Sequence, residues 1–286
     1  MDNKNIRKIN FKESGYPFLL KQIPGSPAAL YTLGNFPDEK LPRLAIVGTR
    51  KATPNGCLIA KTLAKELSEA GCVIVSGLAM GIDTAAHEGA VSANGKTIAV
   101  LGNGLNEIYP RQNSNLAEKI LELDGMIISE YAPDQPAFPS NFLARNRIVS
   151  GLCLATIVVE APERSGSLVT ARLALEQNRE VFVAPGPANH YNYAGSHQLI
   201  REGARLAVSA QNILEDLNIK PITPKEDFSP EEEIVLELFL KNKKSLSIDK
   251  IIELTKLDSQ VVNKTIAFLV IKGIIKETLG KYSLKS

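Results

Sequence analysis

Between residues 44 and about 217, short, largely apolar runs alternate with stretches of helical periodicity. The runs fall at 44–48, 72–76, 97–101, 126–129, 156–160, 181–184 and 205–208. The helical stretches occupy 56–69, 83–93, 114–123, 141–151, 167–177 and 195–202. Strands that are apolar on both faces, each followed by a helix, belong to parallel sheets covered on both sides. Seven such strands with short connections predict an α/β fold, an extended Rossmann-like, doubly wound and mostly parallel sheet over 44–217.

The flanking segments carry different patterns. Residues 1–43 are punctuated by Tyr16-Pro17, Ile23-Pro24-Gly25 and Asn35-Phe36-Pro37, which predicts a short, strand-poor cap. Residues 218–230 are polar and proline-bearing and read as a linker. Residues 231–286 read as helices at 231–241, 247–255 and 258–271, then strands at 274–278 and 281–284 around Leu279-Gly280. That order predicts a small C-terminal winged-helix domain.

Composition narrows the partners. The 286 residues, 44% of them hydrophobic, suffice for one large and one small domain. Net charge is +2, and the ten lysines and eight acids of 229–286 account for it, leaving 1–228 electroneutral. Any nucleic acid must therefore be met by a local patch rather than a global field. Cys57, Cys72 and Cys153 are odd in number and widely spaced, so they predict neither a metal site nor a disulfide framework, but small core residues of a reduced cytoplasm. The polar start Met1-Asp2-Asn3-Lys4-Asn5-Ile6 lacks a signal-peptide core. No apolar run approaches the ~20 residues that span a bilayer. A cytoplasmic protein without membrane attachment is expected.

The chemistry-bearing residues stand at strand ends. Gly48-Thr49-Arg50, followed by Lys51, can cradle a phosphate with backbone N–H groups and a bidentate guanidinium, or can be a tight turn with a solvated arginine. The glycine spacing of a dinucleotide fingerprint and the Gly-Lys-Ser/Thr of a Walker loop are absent, so no nucleotide cofactor is implied. Ser76-Gly77 ends the second strand. Asp83 and His87 share a face of the next helix, where the commoner meaning is a first-turn acid and a packed histidine rather than a catalytic or metal pair. Phe142, Arg145, Asn146 and Arg147 form a stacking ring with two guanidiniums, a single-strand-binding kit, although Phe142 could be core and one arginine could pair with Glu130 or Glu160. Ser165-Gly166-Ser167 can cap a helix and bind an anion at the same N-terminus.

Taken together these residues resemble the DNA-processing protein A family (DprA, also called Smf). The resemblance runs from about Tyr16 to Leu217. It is carried by Ala45-Ile46-Val47-Gly48-Thr49-Arg50-Lys51, Ser76-Gly77-Leu78-Ala79-Met80-Gly81-Ile82-Asp83 through His87, Ala99-Val100-Leu101-Gly102-Asn103-Gly104-Leu105, Tyr109-Pro110, Ser129-Glu130-Tyr131, Arg145-Asn146-Arg147-Ile148, Ser165-Gly166-Ser167-Leu168 and Gly195-Ser196-His197-Gln198-Leu199-Ile200. It implies a Rossmann domain that binds and protects single-stranded DNA, forms a homodimer and loads the RecA recombinase in natural transformation, without catalytic turnover. It puts the phosphate-binding arginine at Arg50 and the base-stacking aromatic at Phe142. Pro139 stands where some members carry lysine, and His197 where asparagine is usual. The helix expected over 258–271 carries Lys264 as its central basic residue and no arginine, so protein contact or internal packing suits it better than groove reading.

Two other classes are weighed. A phosphoribohydrolase of the lysine-decarboxylase-like type, acting on nucleoside monophosphates, needs a Pro-Gly-Gly-x-Gly-Thr-x-x-Glu loop. The comparable Glu160-Ala161-Pro162-Glu163-Arg164-Ser165-Gly166-Ser167 lacks its paired glycines and threonine, with Glu176 the one possible match to the later glutamate. A sequence-specific regulator would act through the winged helix.

Overall fold

In a computed structural model, residues 6–221, 228–242, 245–278 and 280–284 are described. The polar start before Ile6, most of the expected linker (222–227) and Leu279 lie outside them. The chain divides into two compact units, Met1–Pro224 and Lys225–Ser286.

The first unit opens with β1 (Arg7–Asn10), α1 (Phe18–Lys21) and β2 (Ala29–Gly34). It continues through β3 (Arg43–Val47), α2 (Pro54–Glu69), β4 (Val73–Ser76), α3 (Ile82–Ser92), β5 (Thr97–Val100), α4 (Ser114–Glu122), β6 (Met126–Ser129), α5 (Pro139–Gly151) and β7 (Ala155–Val158). It ends with α6 (Gly166–Glu176), β8 (Glu180–Val183), α7 (Ala194–Arg201), β9 (Arg205–Leu206) and α8 (Ala210–Asp216). The nine strands form one sheet in the order β1-β2-β6-β5-β4-β3-β7-β8-β9. From β6 to β9 every pairing is parallel, whereas β2 joins β6 and β1 joins β2 in antiparallel fashion.

The seven expected strands and six expected helices are present, and the sheet is doubly wound. Alternation along β3 shows how. Leu44 and Ile46 pack with α2 and α3 on one face, while Ala45 and Val47 pack with α5 and α6 on the other. All five β3 residues are buried, which is why such strands read as continuous apolar runs.

The expectation for residues 1–43 is corrected. Far from being strand-poor, the segment adds two strands to the edge of the sheet. They are antiparallel and lie at the edge, so β1 is mostly exposed and β2 buries chiefly Leu30 and Thr32. Flanking prolines further mask that pattern. The short helix α8, capped by the Ser209 hydroxyl accepting from the Asn212 N–H at 3.2 Å, also goes beyond the expected elements. Ile219 then packs on the sheet domain, so the linker's first residues belong to that core.

The second unit comprises α9 (Pro230–Asn242), β10 (Leu246–Ser247), α10 (Ile248–Thr255), α11 (Ser259–Ile271), β11 (Ile275–Thr278) and β12 (Lys281–Leu284). Its sheet runs β10-β12-β11 around a core containing Val235, Phe239, Ile251, Val262, Ile266 and Leu269. Three helices with a small antiparallel sheet form the expected winged-helix arrangement. The strand β10 escapes the sequence because it is two residues long. On α11 the Lys264 ammonium lies 5.8 Å from the Phe268 ring centroid.

Candidate functional site

The strand order reverses between β3 and β7: β4, β5 and β6 extend to one side of β3, and β7, β8 and β9 to the other. Connections leaving such neighbours diverge, and the crevice at their C-terminal ends is where doubly wound sheets bind ligands. Here the two strand ends remain joined at the base, the Thr49 N–H donating to the Glu160 carbonyl at 2.7 Å. Above that bond opens a cleft of about 470 Å³. One wall is Gly48-Thr49-Arg50, the opposite wall is Arg164 with Ser165-Gly166-Ser167, and α5 closes the third side with Phe142, Arg145 and Asn146. Among the described residues, three arginines line it against a single carboxylate, Asp83.

The loop after β4 forms the floor. Leu78 holds a φ of 57°, a left-handed conformation that disfavours side chains. Asp83 brackets it, one carboxylate oxygen accepting from the Gly77 N–H at 3.1 Å and the Ala79 N–H at 3.4 Å. The side-chain amide of Asn113 donates to the Leu78 carbonyl at 2.8 Å. Over this loop lies the Arg145 guanidinium, donating to the carbonyls of Gly77 (2.7 Å) and Val100. A side chain at Gly77 would collide with it at 2.5 Å. Burial pulls the Arg145 guanidinium down to about 10, with Asp83 opposing and Arg50 adding to the shift; it stays charged at neutral pH. Burial also raises the Asp83 carboxyl, against the lowering effects of Arg145 and the loop N–H groups.

Phe142 sits three residues before Arg145 on the same side of α5. Its ring occupies the space a side chain at Gly102 would need and packs at 5.3 Å on the Tyr109 ring. The Arg50 guanidinium stands 5.4 Å from its centroid. Arg50 is exposed and makes no hydrogen bond or ion pair among the described residues. The cleft thus combines an unneutralised guanidinium, an aromatic face and a helix N-terminus. The Ser165 hydroxyl caps α6 by accepting from the Ser167 N–H at 3.3 Å. Backbone donors, bidentate cations and a ring are the groups that hold phosphate and stack bases.

The other expected site residues are distributed as follows. Lys51 is exposed beside the cleft rather than in its wall. Ser76 is fully buried, its hydroxyl donating to the Ile46 carbonyl at 2.6 Å. Arg147 points away from the cleft and forms a two-pronged pair with Glu130 (2.7 and 2.5 Å) while donating to the Gly25 carbonyl. One arginine was expected to be structural; the geometry gives both structural bonds. Asn146 lines the cleft and donates to the Gly166 carbonyl at 3.3 Å. His87 is buried, its Nδ1 2.8 Å from the Thr97 hydroxyl, and burial lowers it to about 3. Arg164, Tyr109 and the loop-holding role of Asp83 were missed. The signal for Arg164 was its position directly before Ser165-Gly166-Ser167.

The three cysteines are free, and burial pushes the Cys72 thiol up to about 12. Among the described residues no cluster of three or more His, Cys, Asp or Glu side chains could hold a metal ion. No described helix is long and apolar enough to cross a membrane.

Comparison with known proteins agrees with this architecture. The chain is similar to Protein Smf of Escherichia coli, 44% identical over 240 residues that span 82% of this chain and 64% of that protein. It is 45% identical over 201 residues to DNA processing protein DprA of Streptococcus pneumoniae, covering 70% of each. The X-ray structure of the pneumococcal protein superposes with a TM-score of 0.71 at 41% identity, over 74% of this chain and 75% of that one. A structure of DNA processing protein A from Helicobacter pylori, described for its single-stranded DNA binding mode, superposes with a TM-score of 0.64 at 32% identity, over 76% and 98% of the two chains. The family model for DNA recombination-mediator protein A matches residues 7–218, from the first strand of the sheet to just past its last helix. With that match and those identities, the chain belongs to the DNA recombination-mediator protein A family.

Proposed function

We propose that this protein binds single-stranded DNA in the switch-point cleft, protects it, and as a homodimer loads the RecA recombinase onto it in natural transformation. The observation that carries the reading is the pairing of Arg50 with Phe142. A guanidinium without a hydrogen bond or ion pair among the described residues stands over an aromatic ring at the mouth of a cleft that those residues line with three arginines and one acid. Phosphate is held by Arg50 beside Gly48 and Thr49, with Gly77 and the Ser165-Gly166-Ser167 helix start on the other sides. A base stacks at Phe142. Arg145 and Asn146 shape the floor and wall; Ser76 and Arg147 hold the framework behind them. The Helicobacter pylori relative, described for its single-stranded DNA binding mode, supports the same class of ligand. Recognition through phosphate and ring faces favours single strands without strong sequence choice. Family membership supports RecA loading and dimerisation as parts of this reading.

The function is binding without turnover. The competing phosphoribohydrolase reading asks for a carboxylate at the reacting centre, and the one acid lining the cleft, Asp83, is committed to loop N–H groups under Arg145. The deciding experiment incubates the protein with AMP and, separately, with labelled oligo(dT) and a matched duplex. A salt-sensitive shift of oligo(dT), outcompeted poorly by duplex and with no adenine released, is the expected result. Equal binding to both forms, or base release, overturns it. RecA loading is tested by adding the protein to RecA and single strands, where filament formation is expected to start sooner.

A further inference from the structure

The edge of the sheet that carries the cleft holds a second aromatic, outside the cleft and unused by it. Tyr191 is 70% exposed, more than any other large aromatic side chain among the described residues. It sits in the loop between β8 and α7, and the residues beside it are held by several contacts. Its neighbour Asn192 donates through its side-chain amide to the Lys51 carbonyl at 3.0 Å and to the Glu160 carboxylate at 3.1 Å. The Asn192 N–H donates to the His190 ring at 3.2 Å. Tyr193, fully buried, takes the room a side chain at Gly186 would need and stacks on His197. Tyr191 is therefore an apolar ring held out into water by a fixed backbone, an arrangement that folding alone does not require.

Lys51 lies between this loop and the cleft. Its ammonium makes no hydrogen bond or ion pair among the described residues, and its backbone is the anchor that Asn192 grips. Arg50, next in the chain, reaches the other way over Phe142. The sheet edge thus presents a row: Phe142, Arg50, Lys51, Tyr191. Cations flanked by rings form a track on which single strands lie, phosphates on the charges and bases on the rings.

Resting on the single-stranded DNA reading of the cleft, we propose that the strand continues past Arg50 across Lys51 and stacks a further base on Tyr191. Phe142 packs beside the end of β5 and the Tyr191 loop follows β8, so the two rings stand about four inter-strand steps apart, on the order of 19 Å at about 4.8 Å each. That distance is about six nucleotides at a stacked rise of about 3.4 Å and fewer in an extended strand. A short oligonucleotide fills the cleft alone; a longer one reaches both rings.

The test uses oligo(dT) probes of about 4 and about 20 nucleotides, chosen to bracket a track of this size. Fluorescence anisotropy compares wild type, Tyr191→Ala, Lys51→Ala and Arg50→Ala. The expected result is that Tyr191→Ala weakens the long probe roughly five- to hundredfold and leaves the short probe unchanged. Lys51→Ala lowers the salt dependence of the long probe, and Arg50→Ala weakens both. The chain contains no tryptophan, so Tyr191→Trp supplies a single reporter. Its emission is quenched by the long probe and not by the short one. An unquenched reporter with wild-type affinity of Tyr191→Ala for the long probe overturns this inference while leaving the cleft reading intact. Failure of wild type to bind either probe overturns the cleft reading, and the track falls with it.

Discussion

The Arg50 guanidinium lies 5.4 Å from the centroid of the Phe142 ring, although the two residues are 92 positions apart and come from different connections of the sheet. The switch-point topology brings them together: β3 delivers Arg50 to the strand-end side, and α5, crossing from β6 to β7, delivers Phe142 to the same rim. The pair separates two physical contributions that mutation can resolve. Arg50→Ala removes a charge-assisted phosphate contact worth roughly 1.5–3 kcal/mol and makes the dependence on salt shallower, by about 0.7 in the log–log slope for one phosphate. Phe142→Ala loses base stacking worth roughly 1–3 kcal/mol and leaves the slope nearly unchanged. Phe142 also packs on Gly102 and Tyr109, so a salt titration of each variant is paired with a thermal melt without DNA. The shared site fails if Arg50→Ala binds like wild type, or if Phe142→Ala loses binding only in step with its melting temperature.

Arg145 and Arg147 respond differently to removal. Arg145 is buried with Asp83 close enough to feel its charge, and its loss leaves the Gly77 and Val100 carbonyls without their donor and the buried Asp83 carboxyl without its neighbouring cation. Arg145→Ala is expected to destabilise the fold by roughly 3–5 kcal/mol. Arg147 and Glu130 form a partly exposed pair, with side chains 22% and 16% accessible. Arg147→Ala is expected to lower stability by roughly 1–2 kcal/mol, between the exposed and buried limits. Denaturant titrations read both values. An Arg145→Ala variant as stable as wild type, with weakened DNA binding, would return Arg145 to the role of a phosphate contact.

The sequence made the seven parallel strands legible because burial on both faces writes them as apolar runs, as in β3. The antiparallel edge was illegible for the converse reason: Arg7, Lys8 and Asn10 of β1 face solvent, and prolines interrupt the pattern on both sides of β2. The site followed the same division. Gly48-Thr49-Arg50 and Ser165-Gly166-Ser167 were visible because glycine and hydroxyl residues at strand ends have a limited set of uses. The arginines of α5 were not assignable, because two residues on a helix differ by about 200° in direction. One faces the cleft floor and the other the N-terminal segment, and only packing decides which. Asp83 was legible as a first-turn acid; its grip on the left-handed Leu78 depends on a backbone conformation that no side-chain pattern records.

The winged helix is expected to contribute little to binding single strands. Every strand-end loop lining the cleft lies in the first compact unit, and the one central cation of α11 rests on Phe268. A chain ended after Pro224 is therefore expected to retain oligo(dT) affinity within about threefold, less than one phosphate contact. Anisotropy at moderate salt measures this. Abolished binding in the truncated chain, with an unchanged melt of its sheet domain, would move the DNA-reading surface to the tail.

His87 sets part of the acid stability. It is fully buried, and burial lowers it to about 3, so the folded protein holds it neutral while the unfolded chain protonates it near 6.5. Between those values the unfolded state binds the extra proton, and stability therefore falls as pH falls. The contribution is intact above about pH 6.5 and declines by about 1.4 kcal/mol per pH unit toward the folded value. Asp83, raised by burial, shifts stability in the opposite sense as pH falls, but it is common to wild type and variant. The measurement is the urea midpoint of wild type and His87→Gln at pH 7.5 and pH 5.5. Wild type is expected to lose about 1.4 kcal/mol more than His87→Gln across that interval, whatever the variant's absolute stability. Parallel losses in the two proteins would mean that His87 takes up its proton in the folded state, which its burial beside Thr97 and under the positive Arg145 argues against.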